Sequence, residues 1–438
     1  MARQPSLLGD MLSSLFERRR LPGRADPART IEDMCTALLT EEGEVSGIRL
    51  AQTILDTYEA LEREQKRAFF HYLNDRLELD PAEVATLAGA YAKTGTPEDY
   101  RALTRASEPR RQELLRRLNQ SFGATAALVR MRVDLLEFLR EDADLKRTDF
   151  DFVHLLRSWF NRGFLVLRQI SWETPASILE KIVAYEAVHA INDWDDLRRR
   201  LHPPDRRCFA YFHPTMPDEP LIFVEVALTR TIPDSIQAVL SGDRPPSNPE
   251  ETSVAVFYSI SNCQRGLKGI SFGNMLIKQV VGELSAELPQ LKTFVTLSPI
   301  PGLNAWLRAH DGDDTAGAVL SGTARAEDVE HMAARYLLEA RTPNGAPLDP
   351  VERFHLGNGA LVQDVHAGAD TSENGLRQSS GAMVNYLYDL AEISQNHETF
   401  VRGEALPASR TIRQKAARQK PARQKAADQA TARRKDGP

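Results

Sequence analysis

The residues best suited to chemistry lie in three short stretches. In "SISNCQRGLKGISFGNMLIKQVV" (259–281), a β-like run passes through Gly266, Gly269 and Gly273 into a helix-like run. The GxxGxxxG spacing is neither the GxGxxG of a dinucleotide-binding turn nor the GxxxxGK[ST] of a P-loop. What it offers is a strand end, permissive backbone, and a helix start whose unpaired N–H groups favour an anion, with Arg265 and Lys268 adding positive charge. A phosphate cradle and a plain tight turn both fit this spacing.

The second stretch is "TLSPIPG" (296–302), where Ser298 ends a strand-like run and is held between Leu297 and Pro299. Proline removes an N–H and fixes φ, so regular pairing stops there and the serine sits at a rigid strand end. A Ser-Pro turn alone also fits. Ser298 is not flanked by the glycines of a GxSxG elbow, against an α/β-hydrolase nucleophile at that position. The third stretch is "RFHLGNGA", with His355 before a Gly-Asn-Gly turn; His213 in "YFHPTMP" is similar. Each is either a structural hydrogen-bonder or a proton-transfer group. None of the ten histidines falls in HExxH, so no metal site is expected.

The elements that must position these residues are of two kinds. At 438 residues the chain is long enough for two or three domains. Residues 1–27 read as a flexible arm. From 28 to 160 the pattern is a helical bundle. Leu50, Ile54, Tyr58 and Leu61 form one apolar stripe, and Asp80-Pro81 is a helix start. After that come strands at 220–228, 253–261 and 294–300, with a helix over 273–288 between the last two, the order expected of an α/β domain. "GAMVNYLYDLAEISQ" reads as a closing helix. Residues 410–438 hold ten Lys and Arg against two Asp, a net +8 that leaves −14 on residues 1–409 of a chain at −6 overall. The tail from 405 reads as disordered, and the acidic body argues against nucleic acid as a partner. No apolar run reaches the length of a membrane span. Three scattered cysteines, Cys35, Cys208 and Cys263, suit a reducing compartment.

Taken in order, "HPTMPDEPLIFVEVALT", "AVFYSISNCQRGLKGISFGNMLIKQVV", "LSPIPGLNAWL", "FHLGNGALV" and "GAMVNYLYDL" resemble malonyl-CoA decarboxylases over about residues 150–392. The resemblance implies a helical domain, residues 28–160, that mediates a homo-oligomer (a dimer or tetramer). It implies a catalytic acyl-CoA-binding domain, 161–404, with an N-acetyltransferase-like mixed α/β fold, and leaves the basic tail 405–438 outside. The implied reaction turns malonyl-CoA into acetyl-CoA and CO2 with no cofactor, because the thioester carbonyl is the electron sink. It carries the catalytic pair onto Ser298 and His355. His355 would be a proton donor with a pKa near neutral, and Ser298 its acceptor or relay. Coenzyme A binding is carried onto Lys268, Gly269, Ile270, Ser271, Phe272, Gly273 and Asn274, with Ser259, Gly266 and Tyr386 as further candidates. An acyl-CoA N-acyltransferase and a non-catalytic acyl-CoA sensor are the alternatives. The chain ends "RRKDGP" rather than in a Ser-Lys-Leu signal, so a cytoplasmic enzyme is expected.

Overall fold

The computed structural model describes residues 29–40, 44–270, 276–310 and 312–417. These form two compact units. One holds the residues up to Trp159 together with Arg265–Ile270; the other holds Phe160–Gln264 and the residues after Ile270.

The first unit is helical: α1 Ile31–Thr40, α2 Glu44–Glu59, α3 Arg63–Arg76, α4 Pro81–Thr94, α5 Pro97–Ala106, α6 Arg110–Leu118, α7 Ala124–Phe138 and α8 Lys146–Trp159. Asp80 caps α4 through the N–H groups of Ala82 and Glu83, with Pro81 in the first turn, and the helix ends at left-handed Gly95. Ile54 and Tyr58 of the predicted stripe are buried, among Phe69, Phe70 and Leu128.

The second unit is built on one eight-stranded mixed sheet. Its elements are β1 Val166–Ile170, α9 Ala176–Tyr185, α10 Trp194–Leu201, β2 Arg206–Phe212, β3 Ile222–Thr229, α11 Ile236–Leu240, β4 Val254–Asn262 and α12 Leu276–Glu287. Then follow β5 Thr293–Thr296, β6 Ser298–Pro299, α13 Leu303–Arg308, α14 Asp314–Leu320, α15 Ala326–Glu339 and α16 Pro350–Gly357. The chain continues with β7 Leu361–His366, α17 Glu373–Ser379, β8 Met383–Leu387, α18 Ile393–Val401 and α19 Arg410–Ala416. Strands β1 to β4 are antiparallel neighbours; β4 and β5 are parallel, joined through α12; β8 then pairs with β5, β6 and β7. This is the expected multidomain α plus mixed α/β architecture, with the antiparallel run and parallel crossover of an N-acetyltransferase-like sheet.

Strands β4 and β5 pair only from Val254 opposite Thr293 to Phe257 opposite Thr296. At that point β4 carries an irregularity: the consecutive β3 residues Val226 and Glu225 pair with Phe257 and Ser259, leaving Tyr258 out of register. Beyond Thr296 the other chain turns away, and Ser298 pairs with Val384 of β8 instead. The sheet therefore parts at Ser259 on one side and Ser298 on the other.

Two expectations are corrected. "AMVNYLY" is strand β8, not helix. Left-handed Ser380 and Gly381 end α17, and from Met383 the side chains alternate between two covered sheet faces, which leaves no polar helix face to present. Nor is the chain from 405 unstructured throughout. Pro407–Ser409 bonds along Val362 of β7, and α19 follows with Ile412 buried. Lys415 pairs with Glu330 and Asp364. The acidic body supplies the partners that hold this basic helix. The N-terminal arm and residues 418–438 lie outside the described residues. Among the described residues no helix is long and apolar enough to cross a membrane.

Candidate functional site

Ser298 and His355 are 57 positions apart, and the fold joins them: Ser298 Oγ lies 3.2 Å from His355 Nε2. Asp349 makes the junction. It caps α16, the helix that bears His355, by accepting from the N–H groups of Val351 and Glu352. Its other oxygen accepts from Gly302 N in the turn after Ser298 and from Tyr336 Oη. One carboxylate therefore ties the helix start to the serine's turn. Gly302 must be glycine, because a Cβ there would overlap the Tyr336 hydroxyl. Gly359, at φ +86°, is confined in the same way: a Cβ would overlap the Ile393 carbonyl. This accounts for the second glycine of the Gly-Asn-Gly turn after His355.

The hydrogen bonds run in one direction. Ser298 Oγ donates to Thr296 Oγ1 at 2.8 Å, so its oxygen accepts from His355 Nε2–H. That tautomer leaves Nδ1 to accept from Tyr388 Oη at 2.8 Å. Thr296 Oγ1 also accepts from the Tyr386 N–H. The Tyr386 ring stacks on the imidazole, with centroids 4.5 Å apart and planes at 22°. His355 is 2 % exposed. Burial alone pushes its pKa down to about 3, so the imidazole is neutral in the free protein, and the expected near-neutral pKa is corrected. Burial also holds the Tyr386 and Tyr388 hydroxyls well above their ordinary range, so both keep their protons.

Ser259 is not part of this chain of bonds. Its hydroxyl is bound to Glu186, at 2.9 and 2.7 Å from the two carboxylate oxygens, and Glu186 also accepts from Val188 N and His189 N. Beside it Glu225 pairs with Arg200 at 3.2 Å. Burial, reinforced by the Glu186 charge and opposed by Arg200, pushes the Glu225 carboxyl up to about 8.

The glycine loop is divided. Gly266 to Ile270 pack as part of the helical unit; Lys268 and Gly269 are exposed and Ile270 is buried. Gly266 serves close packing, since a Cβ there would overlap the Val129 carbonyl of α7. Gly269 turns the chain at φ +81°. Ser271, Phe272, Gly273 and Asn274 lie outside the described residues. His213 is buried against Phe160 and shares a hydrogen bond with Thr215 at 2.7 Å, the structural alternative. Among the described residues no group of three or more His, Cys, Asp or Glu is placed to hold a metal ion.

Sequence reasoning missed Thr296, Asp349 and Tyr388. Tyr388 was within reach: in "NYLYDL" it follows Tyr386 by two, and a strand puts both on one face. Asp349 carries only the signal of an Asp-Pro helix start.

Residues 163–428 match the family model described as the malonyl-CoA decarboxylase C-terminal domain, and residues 77–160 the one described as its N-terminal domain. The mitochondrial malonyl-CoA decarboxylase of Mus musculus is 34% identical over 349 residues, 69% of this chain and 70% of the relative. Among solved structures, malonyl-CoA decarboxylase from Rhodopseudomonas palustris is 48% identical with a TM-score of 0.82, covering 88% of this chain and 98% of that one. The enzyme from Agrobacterium vitis, also 48% identical, has a TM-score of 0.83 and covers 89% of this chain and 100% of that one. The C-terminal match reaches residue 428, so the likeness includes much of the segment that the sequence reading left outside.

Proposed function

This chain belongs to the malonyl-CoA decarboxylase family, and from that footing we propose that it converts malonyl-CoA to acetyl-CoA and CO2 with Ser298 and His355 as the catalytic pair. The observation that carries the reading is the directional chain Tyr388 → His355 → Ser298 at the parting of the sheet. The bond between the carboxylate carbon and the α-carbon breaks, CO2 leaves, and the electron pair delocalises into the thioester carbonyl as an enolate. Protonation of the α-carbon completes acetyl-CoA, so each turnover consumes one proton.

A neutral His355 is a weak acid on its own. The anionic substrate beside it raises the proton affinity of the imidazole, so a proton taken up from solvent with the substrate makes an imidazolium that passes Nε2–H through Ser298 to the α-carbon, while Tyr388 keeps its proton and orients the ring. A donor aimed at the enolate oxygen is worth about 3–4 kcal/mol in a dry site. The thioester is its own electron sink, so we propose that the reaction needs no cofactor or metal; full activity after exhaustive chelation is the expected result, and loss restored by a divalent ion the contrary one.

We assign the coenzyme A phosphates to residues 268–274, on the exposed Lys268 and the left-handed turn at Gly269. The helical unit, residues 28–160 in the sequence reading, is the proposed assembly surface of a homodimer or homotetramer, which light scattering tests. A cytoplasmic location fits three buried, unpaired thiols, and cell fractionation checks it. Purified protein given malonyl-CoA and no amine should form acetyl-CoA and CO2. Failure to do so by folded, CoA-binding protein would overturn the reading in favour of an acyl-CoA sensor or an N-acyltransferase.

A further inference from the structure

We propose that Arg132, on helix α7, is a positioning residue for the glycine loop and through it for the phosphates of coenzyme A; this rests on the reading that the loop holds those phosphates. Arg132 is 2 % exposed. Its Nη1 donates to two loop carbonyls, Gly266 O at 2.6 Å and Lys268 O at 2.9 Å. Its Nε is fixed by Asp149 of α8 at 2.8 Å. A second arginine of α8, Arg157, donates to Gly269 O at 3.2 Å. Three carbonyls of the loop are thus held by two guanidinium groups of the helical unit, and the glycine at 266 lets the loop lie directly on Val129.

The physical consequence is one of orientation. A carbonyl oxygen carries partial negative charge and repels phosphate, so a phosphate loop needs its carbonyls turned away from the ligand. The carbonyls of Gly266, Lys268 and Gly269 are bound on the helical side, while the Lys268 side chain is exposed. Arg132 is buried with its charge matched by Asp149, so its contribution is to shape rather than to attraction. Lysine cannot replace it: one ammonium cannot span two carbonyls and a carboxylate with the planar fork of arginine.

The test compares two substrates. Malonyl-CoA carries the nucleotide and phosphates; the malonyl thioester of N-acetylcysteamine carries neither. In Arg132→Lys, KM for malonyl-CoA should rise roughly ten-fold or more with kcat little changed, from the loss of charge-assisted bonds. Kinetics with the short thioester should stay at the wild-type level. Arg157→Gln, at an exposed site, should show the same split at smaller size and guards against a folding defect in the first variant. Equal losses with both substrates, or no loss with malonyl-CoA, overturn the role of Arg132. A wild-type protein that shows no preference for malonyl-CoA over the short thioester overturns the phosphate reading itself.

Discussion

Two serines stand at the parting of the sheet, each two residues beyond the last paired positions of β4 and β5. Ser298 is bonded to neutral groups only, Thr296 and the neutral imidazole of His355. Ser259 gives its hydroxyl to the Glu186 carboxylate, next to the buried Arg200–Glu225 pair. The difference decides which of them can serve a decarboxylase. A chain of neutral donors accepts an anionic carboxylate without like-charge repulsion and passes a proton by switching bonds. A serine locked on a carboxylate has committed its proton, and the charge beside it opposes an anion. Position relative to the strands is shared; only the partners separate the two.

The contrast breaks most readily at the chain of neutral groups. His355→Asn should lower kcat by about 10²–10⁴-fold with malonyl-CoA binding retained, and Ser298→Ala should fall in the same range. Ser259→Ala should cost less than about ten-fold. Steady-state kinetics on the three variants check the ranking, and a Ser259 loss equal to that of Ser298 would erase the distinction.

A finer separation lies between the two tyrosines of β8. Tyr388→Phe removes the donor to Nδ1 and should lower kcat about ten-fold while shifting the pH–rate profile. Tyr386→Phe keeps the ring stacked on His355 and should stay near wild type. The Asp349 knot sharpens the comparison from the stability side. Asp349→Ala removes a helix cap and the bond to Gly302, and should cost about 2–4 kcal/mol in chemical denaturation.

The smallest effect is on the pH dependence of stability, where the two clusters act in opposite directions. His355 falls from 6.5 to about 3 on folding. The unfolded chain takes up a proton that the native state refuses, so this contribution is present above 6.5 and lost as pH falls through about 3. Glu225 rises from 4.5 to about 8. Its contribution is full below 4.5 and lost as pH rises through about 8. Urea midpoints across this range should show the acid limb flattened in His355→Gln and the alkaline limb flattened in Glu225→Gln.

How far the sequence reached follows from the range of the forces involved. Ser298 and His355 were legible because proline, glycine and the family resemblance mark them locally, and strands β3 and β4 because their β-branched runs are long. Strand β8 was misread because it is short and buried on both faces, so its period is hidden, and the tail because composition does not reveal that Lys415 finds Glu330 and Asp364. Arg132 was invisible for a different reason: its bonds to Gly266 and Lys268 span 134 and 136 residues, and no local pattern encodes them. The glycine spacing is now divided by cause, with Gly266 set by the approach to Val129 and Gly269 by a left-handed turn.

The most direct measurement follows acetyl-CoA formed from malonyl-CoA in deuterated water, with no amine present, for the wild type and for His355→Asn. The wild type should release acetyl-CoA carrying one solvent deuteron in its methyl group, and His355→Asn should bind the thioester yet form almost none. Turnover at the wild-type rate in that variant would contradict the assignment of proton delivery to His355 through Ser298.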